Sequence, residues 1–198
     1  MKFSDSVRFL PWVGSNYGSK SRWGTRVLMV GESHYTSNGN AKPRDFTQHC
    51  VETHASGKWK SKSTFWTRAK RVLVEKGAVS HREFWDSVAF YNYVQELVGE
   101  GPRKRPTERM WEISKAPFEE VVEALNPGCI VVLGKGLWKH LPSPDSSEQT
   151  ISEGDYAIPT RRYGTSLAGR TSHPASFGFS SRRWRPSVLN LISKSKEA

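Results

Sequence analysis

Cysteine is nearly absent: Cys50 and Cys129 are the only two in 198 residues. Two thiols cannot staple a disulfide framework, nor can they supply the four thiolates of an iron–sulfur cluster. Cys50 is followed by His54 at helical spacing, with His49 adjacent, but Cys129 falls in an apolar strand and the ligand set is incomplete for structural zinc. No metal and no cofactor is therefore expected. Long apolar runs are also missing, and nothing approaches the roughly 20 residues of a membrane span. The N-terminal stretch MKFSDSVRFLPWVG lacks both an extended apolar segment and a small-residue cleavage site, which argues against a signal peptide. The expectation is a cytoplasmic protein with no membrane partner. No internal repeat or low-complexity linker divides the chain, so residues 1–198 read as a single domain, taken to be monomeric.

Acidic residues are scarce relative to basic ones: 19 Asp and Glu against 30 Lys and Arg, a formal charge of +11. A surplus of that size in a small domain favours a polyanionic partner. Eight tryptophans accompany it. Aromatic rings set in a basic surface can stack bases, while the alternative use of the same residues is a Trp-rich core beneath a solvated basic face.

Arg26 to Gly31 reads as a buried strand that opens into a loop, and the polar, aperiodic stretch 41–62 reads as a long surface loop. Phe65, Ala69, Val72 and Leu73 have helical spacing over 64–76, with Gly77 as a stop. Residues 80–85 look like a turn leading into a strand over 88–94. Thr107 caps a helix interrupted near Pro117 and continuing to Leu125. Cys129 to Leu133 is a third strand, followed by a short helix at 137–141 and a polar loop at 143–155. Strands near 156–159 and before His173, then a helix over 185–193, complete the chain. Alternating apolar strands and amphipathic helices predict an α/β fold, a three-layer α/β/α sandwich with a mainly parallel central sheet. Ligands bind such sheets at the carboxyl ends of the strands. That directs attention to the loops after Val30, around Asn92 and after Thr171.

Those loops read Val30-Gly31-Glu32-Ser33-His34-Tyr35, Phe90-Tyr91-Asn92-Tyr93-Val94 and Thr171-Ser172-His173-Pro174-Ala175-Ser176-Phe177. Their order and placement resemble the uracil-DNA glycosylase superfamily over about four-fifths of the chain. There a Gly-x-x-Pro/His-type loop follows the first strand, a later strand carries an Asn that reads the base, and a late His-Pro-Ser loop enters the minor groove. The resemblance implies a fold of that superfamily and cleavage of an N-glycosidic bond. Breaking that bond leaves an anionic base and a cationic, oxocarbenium-like sugar, so the enzyme must stabilise charge and bring water to the anomeric carbon.

By this resemblance His173 is the neutral donor to the pyrimidine O2, and Asn92 is the amide that reads the base edge. An Asn capping a strand end and a loop His held by carbonyls are the structural alternatives. The first loop departs from the Gly-Gln-Asp-Pro-Tyr pattern. Ser33 stands where that pattern has its water-activating Asp, and His34 stands where it has Pro. Glu32 or His34 would then orient water, or either is structural. Tyr35 matches the residue that packs against pyrimidine C5. Phe46 is a candidate to stack the flipped base or to pack in the core. Phe177 matches the wedge that fills the vacated duplex position. Arg182, Arg183 and Arg185, around Trp184, suit phosphate contacts or a solvated helix entry, and Ser166 and Ser176 are further phosphate candidates.

The resulting expectation is a monofunctional, cofactor-free DNA glycosylase acting on uracil or a modified cytosine, phage-type bases included, in repair or antiviral defence. The rival is a noncatalytic nucleic-acid-binding module on the same fold. A metal-dependent nuclease ranks third, because Glu32 is the only carboxylate in the motif loops.

Overall fold

A computed structural model describes residues 2–18, 20–36, 42–59, 64–100, 104–152 and 155–197. The fold is α/β and is organised around strand β2 (Val27–Gly31), whose residues are all buried. Along β2 the side chains alternate: Val27 and Met29 enter one apolar cluster, Leu28 and Val30 the other. Both faces of the sheet are thus covered, and a strand covered on both faces must be continuously apolar.

β4 (Ala89–Asn92) pairs with β2 in parallel on one side, and β6 (Cys129–Leu133) does so on the other. β9 (Ser166–Thr171) adds in parallel to β6. The first face packs on α1 (Phe46–Ala55), α2 (Thr64–Arg71), α3 (His81–Asp86) and α7 (Ser181–Lys194), which contribute residues such as Val51, Trp66, Trp85 and Leu191 to its cluster. The opposite face packs on α4 (Glu108–Ile113), α5 (Lys115–Leu125) and α6 (Lys135–His140) through Trp111, Phe118 and Leu137.

The sheet as a whole is mixed, which corrects the expectation of a mainly parallel one. Its strand order is β1-β4-β2-β6-β9-β8-β7, where β1 is Trp12–Val13, β7 is Gln149–Ile151 and β8 is Ile158–Tyr163. β1, β8 and β7 join antiparallel. These flanking strands carry polar residues such as Thr160, Arg161 and Arg162 and are not the continuous apolar runs that betray central strands. Hence β7 falls in the stretch read as a polar loop, and β8 extends well beyond 156–159. Gly164, at φ 55°, turns β8 back into β9. A separate pair, β3 (His34–Thr36) and β5 (Leu97–Glu100), runs parallel beside the main sheet.

Other departures have local causes. α1 lies within the stretch read as a loop because two of its inward positions are polar: Thr47 and His54 are buried with Val51 and Ala55. The period is helical but the hydrophobicity signal is not. Residues 80–85 form a helix rather than a turn, started by a capping box. The Ser80 hydroxyl accepts from the Glu83 amide at 3.1 Å, and the Glu83 carboxylate accepts from the Ser80 amide at 2.8 Å. The long helix breaks at Ser114, not at Pro117, which sits in the first turn of α5 where its missing N–H costs nothing. α7 begins four residues earlier than expected, because Ser180 caps it by accepting from Arg183 N. Pro186 is tolerated inside it while Trp184, Val188, Leu191 and Ile192 are buried. No helix among the described residues is long and apolar enough to cross a membrane.

Gly31 closes β2 directly opposite Asn92. A Cβ at this position would collide with the Asn92 side-chain oxygen and lie 2.9 Å from the Phe90 ring. Both neighbours are buried and cannot retreat cheaply. Gly31→Ala is therefore expected to lower unfolding free energy by about 1–3 kcal/mol, the scale of an overpacked core. Urea denaturation monitored by tryptophan fluorescence would measure it, and an unchanged midpoint would contradict this packing.

Candidate active site

The carboxyl ends of β2, β6 and β9 open into one cleft of about 590 Å³. Glu32 reaches it from the end of β2, Lys135 and Gly136 from the end of β6, and Ser172 and His173 from the end of β9. Parallel strands place three successive loops side by side, so residues distant in the chain meet here. Two of the three motif loops, those carrying Glu32 and His173, line this cleft.

His173 is held in a defined protonation form. Its Nδ1 accepts the backbone N–H of Ala175 at 3.2 Å, so the neutral ring carries its proton on Nε2. Burial, and secondarily the nearby Arg105 cation, push its pKa below the usual histidine value. The ring packs 5.4 Å from Phe65 at the start of α2. Among the described residues its Nε2–H has no partner, and such a neutral imidazole is a hydrogen-bond donor without a positive charge.

Glu32 is 6% exposed and makes an ion pair with Arg105, whose Nη1 lies 3.2 Å from both carboxylate oxygens. Arg105 itself is 77% exposed, so the pair has one partner in the protein and one at the surface. Gly136 leaves the other side of the carboxylate open: a Cβ there would sit 3.8 Å from Glu32 Oε2.

Asn92 and His34 are brought together, but away from the cleft lining. The Asn92 amide nitrogen lies 3.2 Å from His34 Nε2, and Thr47 Oγ1 lies 2.7 Å from the same atom. An amide nitrogen can only donate, so Nε2 accepts and the ring proton resides on Nδ1. Burial drives the His34 pKa down to about 4. The imidazole lies between Phe46, at 4.8 Å, and Phe9, at 5.1 Å. Phe46, the first residue of α1, thus packs on a histidine of its own chain. Tyr35 is half-buried against the cluster on the α4–α6 face. The Ser33 hydroxyl is buried without a hydrogen-bond partner among the described residues.

The loop after β9 carries Phe177, which is fully exposed at the cleft rim. Arg68 of α2 anchors this loop, its guanidinium donating to the carbonyls of Pro174 at 3.0 Å and Ser176 at 3.3 Å. Ser176 is exposed on the same rim. Ser166, in contrast, is buried and donates to the Pro127 carbonyl at 2.6 Å, a structural role.

The arginine cluster divides. Arg182 is exposed and makes no ion pair among the described residues. Arg183 pairs with Asp155 at 3.0 Å and lies over the Tyr156 ring. Arg185 turns inward, to the Arg71 carbonyl and Glu75. Among the described residues no group of three or more His, Cys, Asp or Glu can hold a metal ion.

Sequence reading missed Arg105, Lys135, Arg170, Thr47 and Arg68. Arg105 follows a run of Gly, Pro and basic residues and Lys135 stands between two glycines, but nothing in either pattern names Glu32 or a cleft as its partner. Thr47 and Arg68 act through contacts between distant segments that no local pattern encodes.

The depressed His34 pKa has a definite sign in stability. The unfolded ring takes up a proton near pH 6.5, the folded one only near pH 4. Stability is therefore full above about pH 6.5 and falls as the pH drops towards 4, by up to ~3 kcal/mol from this residue. His54, also pushed down to about 4 by burial, adds to the same trend. Urea unfolding at stepped pH should show this decline, and His34→Gln should flatten it. A His34→Gln curve with wild-type slope would mean that His34 is not buried neutral. Compared with known protein families and with curated proteins, the chain matches none by sequence.

Proposed function

We propose that the protein is a monofunctional DNA glycosylase that hydrolyses the N-glycosidic bond of a flipped pyrimidine. The carrying observation is His173: a neutral ring whose Nε2–H has no hydrogen-bond partner among the described residues, in a cleft at the strand ends. Such a donor, aimed at the O2 of the leaving pyrimidine, stabilises the negative charge that develops on the base as the bond breaks. The electron pair of the C1′–N bond leaves with the base, water adds at C1′, and its proton passes to a base in the cleft. Glu32 is the carboxylate available for this, once Arg105 releases it. No cofactor enters the reaction. Phe177, exposed at the rim, suits the wedge that holds a duplex open, and the +11 charge suits DNA. A parallel strand centre with helices on both faces agrees with the three-layer arrangement of the uracil-DNA glycosylase superfamily. We extend the reading to a cytoplasmic monomer serving repair or antiviral defence.

Uracil and a C5-modified cytosine are both candidate bases. The cleft is lined by the donor groups of Arg105, Lys135, Arg170, Ser172 and His173, so hydroxyls on a modified base would find partners there. A second reading, a noncatalytic nucleic-acid-binding module, is favoured by one observation. Asn92 and Glu32, the residues that would read the base and activate water, are already partnered within the chain.

Single-turnover assays on DNA carrying uracil, hydroxymethylcytosine or glucosylated hydroxymethylcytosine separate the readings. Base release is expected on at least one substrate. His173→Ala should slow release by about 10²-fold or more with DNA affinity retained, the scale of losing one oxyanion-type donor. Binding with no release on any substrate would establish the noncatalytic module instead. Fast uracil release with none from the modified cytosines would exclude the modified-base preference.

A further inference from the structure

The cleft holds more hydrogen-bond donors than its own acceptors can use. Lys135 is exposed at the start of α6 and makes no ion pair among the described residues. Arg170, near the end of β9, is half-buried, and its guanidinium has no hydrogen bond or ion pair among the described residues. The acid whose charge it feels, Glu148, is in an ion pair with Arg161 at 3.0 Å. Burial lowers the Arg170 pKa, and the charge of Glu148 offsets this only in part. His173, whose Nε2–H has no partner among the described residues, and Ser172 line the same space. Both carboxylates on the cleft wall are already engaged, Glu32 with Arg105 and Asp155 with Arg183. A half-buried cation without an ion pair among the described residues is stabilised by an anion brought to it. A ligand matched to this lining is anionic and rich in acceptors.

We propose that Lys135 and Arg170 form a phosphate-binding subsite inside the cleft, separate from the arginines around Trp184. Resting on the glycosylase reading, the ligand is a phosphate of the DNA chain, either an internal phosphodiester or a terminal monoester. Its oxygens accept from the Lys135 ammonium and the Arg170 guanidinium, a charge-assisted pairing. The phosphate also offers a second anion to Arg105. Because Arg105 is mostly exposed while Glu32 is buried, the arginine can turn to the phosphate without unburying the carboxylate. DNA binding thereby frees Glu32.

Fluorescence anisotropy with short single-stranded DNA, bearing either a 5′-hydroxyl or a 5′-phosphate, tests this across a salt series. Lys135→Gln and Arg170→Gln are each expected to weaken binding several-fold at low salt. Each should also reduce the slope of log affinity against log salt by about 0.7, one single-strand phosphate contact. Equal losses on both DNAs identify an internal phosphodiester as the ligand. A loss confined to the phosphorylated DNA identifies a terminal monoester. Either result supports the subsite, and inorganic phosphate should compete less well against both variants. Unchanged affinity and slope in Lys135→Gln, an exposed position whose folding is not at risk, would overturn it even if Arg170→Gln proved unstable. Because binding is read without base release, an inactive protein that shows these losses would sink the glycosylase reading and leave the subsite standing.

Discussion

The close approach of β2 to β4 at their carboxyl ends is the constraint on which the rest depends. Gly31 faces Asn92 with no room for a side chain between them, and Gly31 and Glu32 carbonyls accept from Tyr93 and Val94 amides just beyond. This locks the exits of two adjacent strands together. From that lock one residue, Glu32, enters the cleft, while the next turn of chain sends His34 beneath Asn92. A larger residue at 31 would part the strand ends and loosen both groups at once.

Burial on both faces of the sheet then separates two kinds of histidine. His34 is enclosed by aromatic rings and by donors from Asn92 and Thr47, so its neutrality is a matter of stability. His173 stands at the cleft wall, its Nδ1 fixed by one backbone amide and its other nitrogen without a partner among the described residues. Both have depressed pKa values, yet only the second lines the cleft. A shifted pKa alone does not mark a functional group; its place in the fold decides what it can meet.

Charge follows the same division. Some of the basic excess is spent inside the molecule: Arg68 anchors the loop after β9, Arg185 braces α7 on α2, and Arg161 pairs with Glu148. What remains uncommitted at the cleft and its rim is the portion able to attract a polyanion, so net charge overstates the basic surface available to one.

Continuous apolar runs at Val27–Val30 and Ile130–Leu133 determined the buried strands by themselves, because only a strand covered on both faces needs such a run. Short-range chemistry is equally legible in the Thr107 cap, and the Ser80–Glu83 box, which starts α3, is a signal of the same kind. The sequence also singled out Glu32 and His173, since both follow strand ends. Tertiary structure alone decided that β7 and β8 run antiparallel, that α1 buries a threonine and a histidine, and that Arg105 meets Glu32. It alone turned Arg185 inward and paired Asn92 with His34. Each of these depends on contacts between segments far apart in the chain, and local composition carries no information about which distant polar group will satisfy a buried one.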